Sequence, residues 1–148
     1  MTEALSIEFA NTLEGGPNGV TDTLDDRWGT DPRPLRGAIR ALFEAAIAGA
    51  DPDQRAVAIV NAAPRGISLV WRTGEAPGLD GELLTLAATS AISVLAGPDR
   101  ELLRRCEAAP CIRLFLADDP RRQYCSATCG TRVRAARLRE RRAASSRG

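Results

Sequence analysis

Every cysteine of the 148-residue chain falls between positions 106 and 129, as Cys106-x4-Cys111, thirteen intervening residues, and Cys125-x3-Cys129. Two close pairs separated by a hairpin-sized interval suit tetrahedral zinc, because each pair wraps one edge of the ion and the interval brings the chain back. The chain has no histidine, and all 20 basic residues are arginine. Histidine general-base chemistry is thereby excluded, and thiolates or carboxylates are the only side-chain metal donors left. Four protein thiolates close the coordination sphere, so the expected zinc ion is structural and the chain is expected not to be an enzyme. Two other readings of the same thiols stand beside this one: four incidental buried cysteines, and a zinc–thiolate redox sensor that forms disulfides and releases metal under oxidant.

The interval between the pairs reads as two short strands, Ile112–Leu116 and Arg122–Tyr124, around a polar turn. Ser126 is a natural N-cap for a helix from Ala127 to about Arg142, with Cys125 before it and Cys129 in its first turn, where amide dipoles favour thiolate. Knuckle, hairpin and helix together predict a treble-clef-like module. Residues 1–99 carry 7 arginines against 14 acids, whereas residues 100–148 carry 13 against 5. Arg132, Arg134, Arg137, Arg139, Arg141 and Arg142 make the post-zinc helix basic nearly all round, with Arg134, Arg137 and Arg141 on one face. Such a helix is expected to meet phosphates, and Arg113, Arg121 and Arg122 would extend the same surface. Aromatic residues for stacking single strands are scarce, which points to duplex DNA. The competing reading is a solvated tail.

The acidic half reads as mainly helical. Leu5, Phe9 and Leu13 space a short helix, Glu14-Gly-Gly-Pro-Asn-Gly breaks it, and a second short piece is expected over Thr23–Trp28. Leu35, Ala38, Ile39, Leu42, Phe43, Ala46 and Ile47 define a longer helix opened by Asp31-Pro32 and closed by Gly49; Asp51-Pro52 opens another, which buries Ala56, Ile59, Val60 and Ala63 and stops at Pro64. Ile67–Arg72 alternates as one strand whose partner is a weak strand, another chain or the cysteine module, so a homodimer is one option. A helix is expected from Asp80 to Ala96, burying Leu83, Leu84, Ala87, Ala88, Ala91, Ile92 and Leu95, and another from Asp99 towards Cys106. The fold class is thus mainly α with a small β element: a helical bundle over 1–99, a zinc module over 100–142 and a disordered tail over 143–148. Neither a signal peptide nor a membrane span is visible, so a cytoplasmic protein is expected, in which reducing conditions disfavour disulfides. Asp25 and Asp26 either line a pocket or cap a helix end, and Asn11 either binds a ligand or caps a turn.

Leu102-Leu-Arg-Arg-Cys-Glu-Ala-Ala-Pro-Cys, Leu114-Phe-Leu, Arg121-Arg-Gln-Tyr-Cys-Ser and Cys129-Gly-Thr-Arg resemble the CGNR zinc-finger family of bacterial proteins. The opening Leu5-Ser-Ile-Glu-Phe-Ala-Asn-Thr-Leu is similar to the start of the ABATE domain that usually precedes this finger. The resemblance implies a bacterial, DNA-binding, stress-induced transcription regulator with one structural zinc. Thr131 stands where the family has asparagine, and the N-terminal half is shorter than the usual family domain. A zinc-stabilised protein–protein adaptor of the transcription machinery is the alternative.

Overall fold

The computed structural model describes residues 4–63, 68–70, 73, 74, 76, 78–80 and 82–147. Helix α1, Leu5–Ala10, buries Ser6, Ile7, Phe9 and Ala10. Leu13, expected to continue its stripe, instead opens a hairpin of β1, Leu13–Gly16, and β2, Gly19–Asp22, with Leu13 opposite Asp22. The glycine-rich run that ends the helix also turns the chain, because Gly19 sits at φ +105°, where a side chain would be strained. A 3-10 turn, Asp26–Trp28, replaces the expected short helix. There Asp25 accepts the Arg27 N–H, which settles its role as a cap, and Trp28 is buried with its ring centroid 4.5 Å from that of Phe9.

Helix α2, Arg33–Ala48, forms where the spacing predicts it and ends at Gly49 with φ +63°. Its buried side holds Leu35, Ala38, Ile39, Leu42 and Phe43, together with Arg36 and Arg40. Asp31 makes no cap; Pro32 precedes the helix and no side chain caps it. Helix α3, Gln54–Ala62, starts two residues after Pro52, and Asp53, not Asp51, caps it by accepting the Arg55 N–H at 2.9 Å. Ala56 and Val60 are buried, whereas Ile59 is exposed.

Strand β3, Ser68–Val70, pairs antiparallel with β4, Gly78–Asp80, with Leu69 in register with Leu79. The strand's partner is therefore a weak strand of the same chain; Pro64, Ile67, Trp71 and Arg72 lie outside the described residues. Because Asp80 belongs to that strand, the next helix, α4, runs only over Leu83–Ala96. Its buried side is Thr85, Ala87, Ala88, Ala91 and Val94, while Leu84 and Leu95 are half-buried and Ile92 is 42% exposed. Small residues turn inward because α1 crosses closely here: the Ser6 N–H reaches Ser90 Oγ at 3.1 Å, and Ser90 Oγ–H donates to Ser6 Oγ at 2.9 Å.

The helix expected from Asp99 is a 3-10 turn, Pro98–Leu102, followed by β5, Leu103–Arg105. Strand β5 pairs antiparallel with β6, Leu114–Leu116, so the hairpin joins residues on either side of the first cysteine pair. Arg122–Tyr124 forms no strand and returns alongside through one bond, from Glu107 N–H to the Gln123 carbonyl at 3.0 Å. Helix α5, Ala127–Ser145, continues three residues past Arg142, into the segment expected to be disordered. The fold is mainly helical with three small antiparallel hairpins among the described residues. Its main core, with Ile7, Phe9, Trp28, Ile39 and Phe43, also includes Leu103 and Leu114 from the cysteine module. Leu103 and Leu114 thus tie the module to the core of the bundle, while Cys106, Ala108, Phe115, Ala117 and Cys129 form a second, smaller core around the cysteines.

Candidate metal centre

The β5–β6 hairpin opens into a knuckle in which Cys106 N–H donates to the Arg113 carbonyl at 2.9 Å and Cys111 N–H to the Ala108 carbonyl at 2.8 Å. These bonds fold the first pair of thiols inward. The second pair is set by the helix start: Ser126 Oγ accepts the Cys129 N–H at 3.3 Å, which places Cys129 in the first turn of α5 and Cys125 just before it. All four sulfurs lie within 4.8 Å of one another. Cys111 and Cys125 Sγ are 3.8 Å apart, and Cys125 and Cys129 Sγ are 3.7 Å apart. Four sulfurs about 2.3 Å from a central zinc are about 3.8 Å from each other, whereas a disulfide needs about 2.05 Å. The four cysteines are free thiols, two of their separations match that tetrahedral value, and the set is compact enough to fit zinc.

Burial raises the Cys111 thiol above its ordinary value and, with a hydrogen bond to Cys129, pushes Cys125 up to about 12. At Cys129 burial also acts upward, but bonds to Ser126 Oγ and the other three thiols outweigh it and leave the thiol low. Four thiolates so close together repel, and a divalent cation is what allows all of them to ionise together. The ion supplies crosslinking and charge neutralisation; the surrounding donors are the protein's own. Cys125 N–H points at Cys106 Sγ, 3.4 Å away. Arg132 Nη2 donates to the Ala108 carbonyl at 2.9 Å and lies 3.8 Å from Cys129 Sγ, tying the knuckle to α5 and placing positive charge beside the thiolates. Gly130 sits in a close-packed spot, where a Cβ would lie 3.3 Å from both the Tyr124 ring and Arg134 Nη1. Thr131, in place of the family asparagine, accepts from Arg134 Nη2 at 3.3 Å.

The nine arginines expected to form a nucleic-acid surface separate into different environments. Arg122 is held inside the module: its guanidinium stacks 4.8 Å over the Phe115 ring and donates to the Tyr124 and Cys125 carbonyls and to Asp118. Arg132 is likewise engaged. Arg113 is half-buried and faces Glu14 at 3.9 Å, and exposed Arg121 is forked by Asp119. Arg134, Arg137, Arg139, Arg141 and Arg142 are exposed on α5, which buries only Cys129 and Gly130.

The contacts that seat this module on the bundle were missed in the sequence. Asn11 Nδ2 donates to the Leu114 carbonyl and Asn11 Oδ1 accepts the Leu114 N–H, both at 2.9 Å, so one side chain satisfies both peptide groups of a β6 residue. Asn11, the residue that closes α1, thus docks the module through its side chain. Buried Arg40 donates to the Ala10 carbonyl and the Ile112 carbonyl, each at 2.8 Å. Gly15 passes so close that a Cβ would meet the Pro110 carbonyl at 2.1 Å. Arg36 forks Asp22 at 2.8 and 2.9 Å and holds its carboxyl well below the usual carboxylate range, the Leu24 N–H adding to the effect. The available signal was helical phase: Arg36, Arg40 and buried Phe43 recur at four- and three-residue steps along α2, so the two arginines share its inward side.

A profile of the CGNR zinc finger matches residues 102–142, and the ABATE profile, described as "Putative stress-induced transcription regulator", matches residues 3–98. No curated protein matches the chain. With the ABATE match covering well over half of its length and four thiols at zinc spacing in the finger that follows, the chain belongs to the ABATE family and ends in a CGNR zinc finger built on one structural zinc.

Proposed function

We propose that the protein is a transcription regulator that binds duplex DNA through α5, with zinc and Arg132 fixing the root of that helix on the body. The observation that carries this reading is the contrast among the arginines. The side chains of Arg36, Arg40, Arg122 and Arg132 are engaged with backbone or carboxylate partners, whereas those of Arg137, Arg139, Arg141 and Arg142 make no ion pair or hydrogen bond to the described residues. A 19-residue helix that buries only its first turn and carries this unneutralised charge is suited to phosphate contact along a groove. The closed thiolate sphere and the absence of histidine favour a non-enzymatic role. No helix among the described residues is long and apolar enough to cross a membrane, and free thiols at this spacing suit a reducing cytoplasm.

Selection of genomic DNA fragments by the purified zinc-loaded protein tests the proposal. A shared sequence should be enriched over a chelator-treated control, and Arg137→Ala combined with Arg141→Ala should reduce recovery at least tenfold. Absence of enrichment, with a stable protein partner co-purifying instead, would transfer the arginines to the adaptor reading.

A further inference from the structure

The four thiols stand in unequal surroundings. Cys106 and Cys129 are buried, at 4% and 7% exposure, among Ala108, Phe115 and Ala117. Arg132 Nη2 lies 3.8 Å from Cys129 Sγ, and the Cys125 N–H points at Cys106 Sγ. Cys111 and Cys125 sit at the edge of that small core, half-buried, with their sulfurs 3.8 Å apart. They belong to different segments, one ending the knuckle and the other preceding α5, so a bond between them would close the thirteen-residue interval of the module. Oxidation of a cysteine follows thiolate character and access. A bound zinc ion keeps all its thiol ligands deprotonated, so access decides among them, and it selects Cys111 and Cys125.

We propose that Cys111 and Cys125 are a peroxide-sensitive pair whose oxidation to a disulfide releases the ion and frees the root of α5. The oxidant is hydrogen peroxide. One thiolate attacks it: an S–O bond forms, the O–O bond breaks, and the departing oxygen takes a proton and leaves as water. The second thiolate, 3.8 Å away, then attacks that sulfur; the S–S bond forms, the S–O bond breaks, and a second water leaves with another proton. The two sulfurs give up two electrons and the peroxide takes up both. Cys106 and Cys129 remain as thiolates, and two ligands do not close a tetrahedral site. The new bond ties down Cys125, just before the helix, but not Cys129 in its first turn. Apart from Cys129 and Gly130 no residue of α5 is buried, and Arg137 and Arg141 stand as like charges at four-residue spacing. A helix this poor in packing frays once its root is free. The inference rests on the zinc centre and not on what α5 binds, so DNA is left out of its test.

The zinc-loaded protein is treated with hydrogen peroxide beside a chromophoric zinc chelator, and the remaining thiols are then alkylated in denaturant. Cleavage after Glu107 and after arginine separates Cys106 from Cys111, and fragmentation in the mass spectrometer separates Cys125 from Cys129. One zinc should be released per disulfide formed, at least about tenfold faster than zinc loss to the chelator alone. The link should join Cys111 to Cys125, with Cys106 and Cys129 alkylated. The helical circular dichroism should fall with the zinc, and dithiothreitol with added zinc should restore both. Zinc that stays bound under excess peroxide, a link that includes Cys106 or Cys129, a helical signal that survives zinc release, or a change that dithiothreitol and zinc do not reverse would each overturn the inference.

Discussion

At the scale of single residues, two side chains hold more of this structure together than their positions suggest. Asn11 satisfies both the N–H and the C=O of Leu114 in a buried setting. Removing it leaves two peptide groups without partners, each costing about 1–3 kcal/mol, so Asn11→Ala should lose about 2–4 kcal/mol of stability in a denaturant titration. Asn11→Asp retains the acceptor but turns a carboxylate oxygen towards the Leu114 carbonyl, and should not restore the loss. A change smaller than the scatter of the titration would show that the docking bond is incidental. Arg132 offers a second separation. Its guanidinium reaches the knuckle carbonyl and Cys129 Sγ, whereas the Arg137 side chain makes no hydrogen bond or ion pair among the described residues. Arg132→Ala should therefore speed zinc loss to a chromophoric chelator severalfold, while Arg137→Ala should leave zinc loss unchanged. Equal behaviour of the two would return Arg132 to the DNA-facing set.

Among the elements, the knuckle and the first turn of α5 depend most on the ion. Burial holds Cys111 and Cys125 protonated well above neutral pH without metal, so zinc must displace those protons. Apparent affinity is then lowest in acid and rises with pH until the metal-free thiols themselves ionise. Zinc-competition titrations between pH 6 and pH 8 should show a fall of at least about two decades for each unit of acidification, corresponding to the protons displaced from Cys111 and Cys125. A pH-independent affinity would mean that the thiols are already ionised in the metal-free module. The cysteine spacing was legible in the sequence because ligand pairs are local, and so were α2 and α5, whose periodicity, glycine cap and Ser126 cap lie within a few residues. Strand β5 was not, since Leu102 and Leu103 after Asp99 fit a helix until the knuckle requires a strand on each side of Cys106 and Cys111. The β1–β2 hairpin was hidden in residues that read as breakers, and the Asn11–Leu114 dock spans 103 positions, beyond any local pattern.

At the scale of the whole molecule, the zinc module is packed on the helical half, and α5 is exposed beyond its first turn. Leu103 and Leu114 lie in the same core as Phe9, Trp28 and Phe43, and Asn11 and Arg40 join the module to α1 and α2. Chelating zinc should therefore lower the unfolding midpoint of the N-terminal helices as well as melt the module, observed as one far-ultraviolet transition instead of two. Two well-separated transitions would mean that the halves are merely adjacent. Helix α5 is proposed to meet DNA phosphates through its unpaired arginines while its zinc-bound root stays fixed. The most direct test is the salt dependence of binding to a short duplex, for the parent protein and for the Arg137→Ala, Arg141→Ala double variant. Each phosphate contact contributes about 0.9 to the slope of log affinity against log salt, so the variant should lose about two from the slope while retaining its full zinc content. An unchanged slope, or no measurable duplex binding by the parent at low salt, would contradict the account.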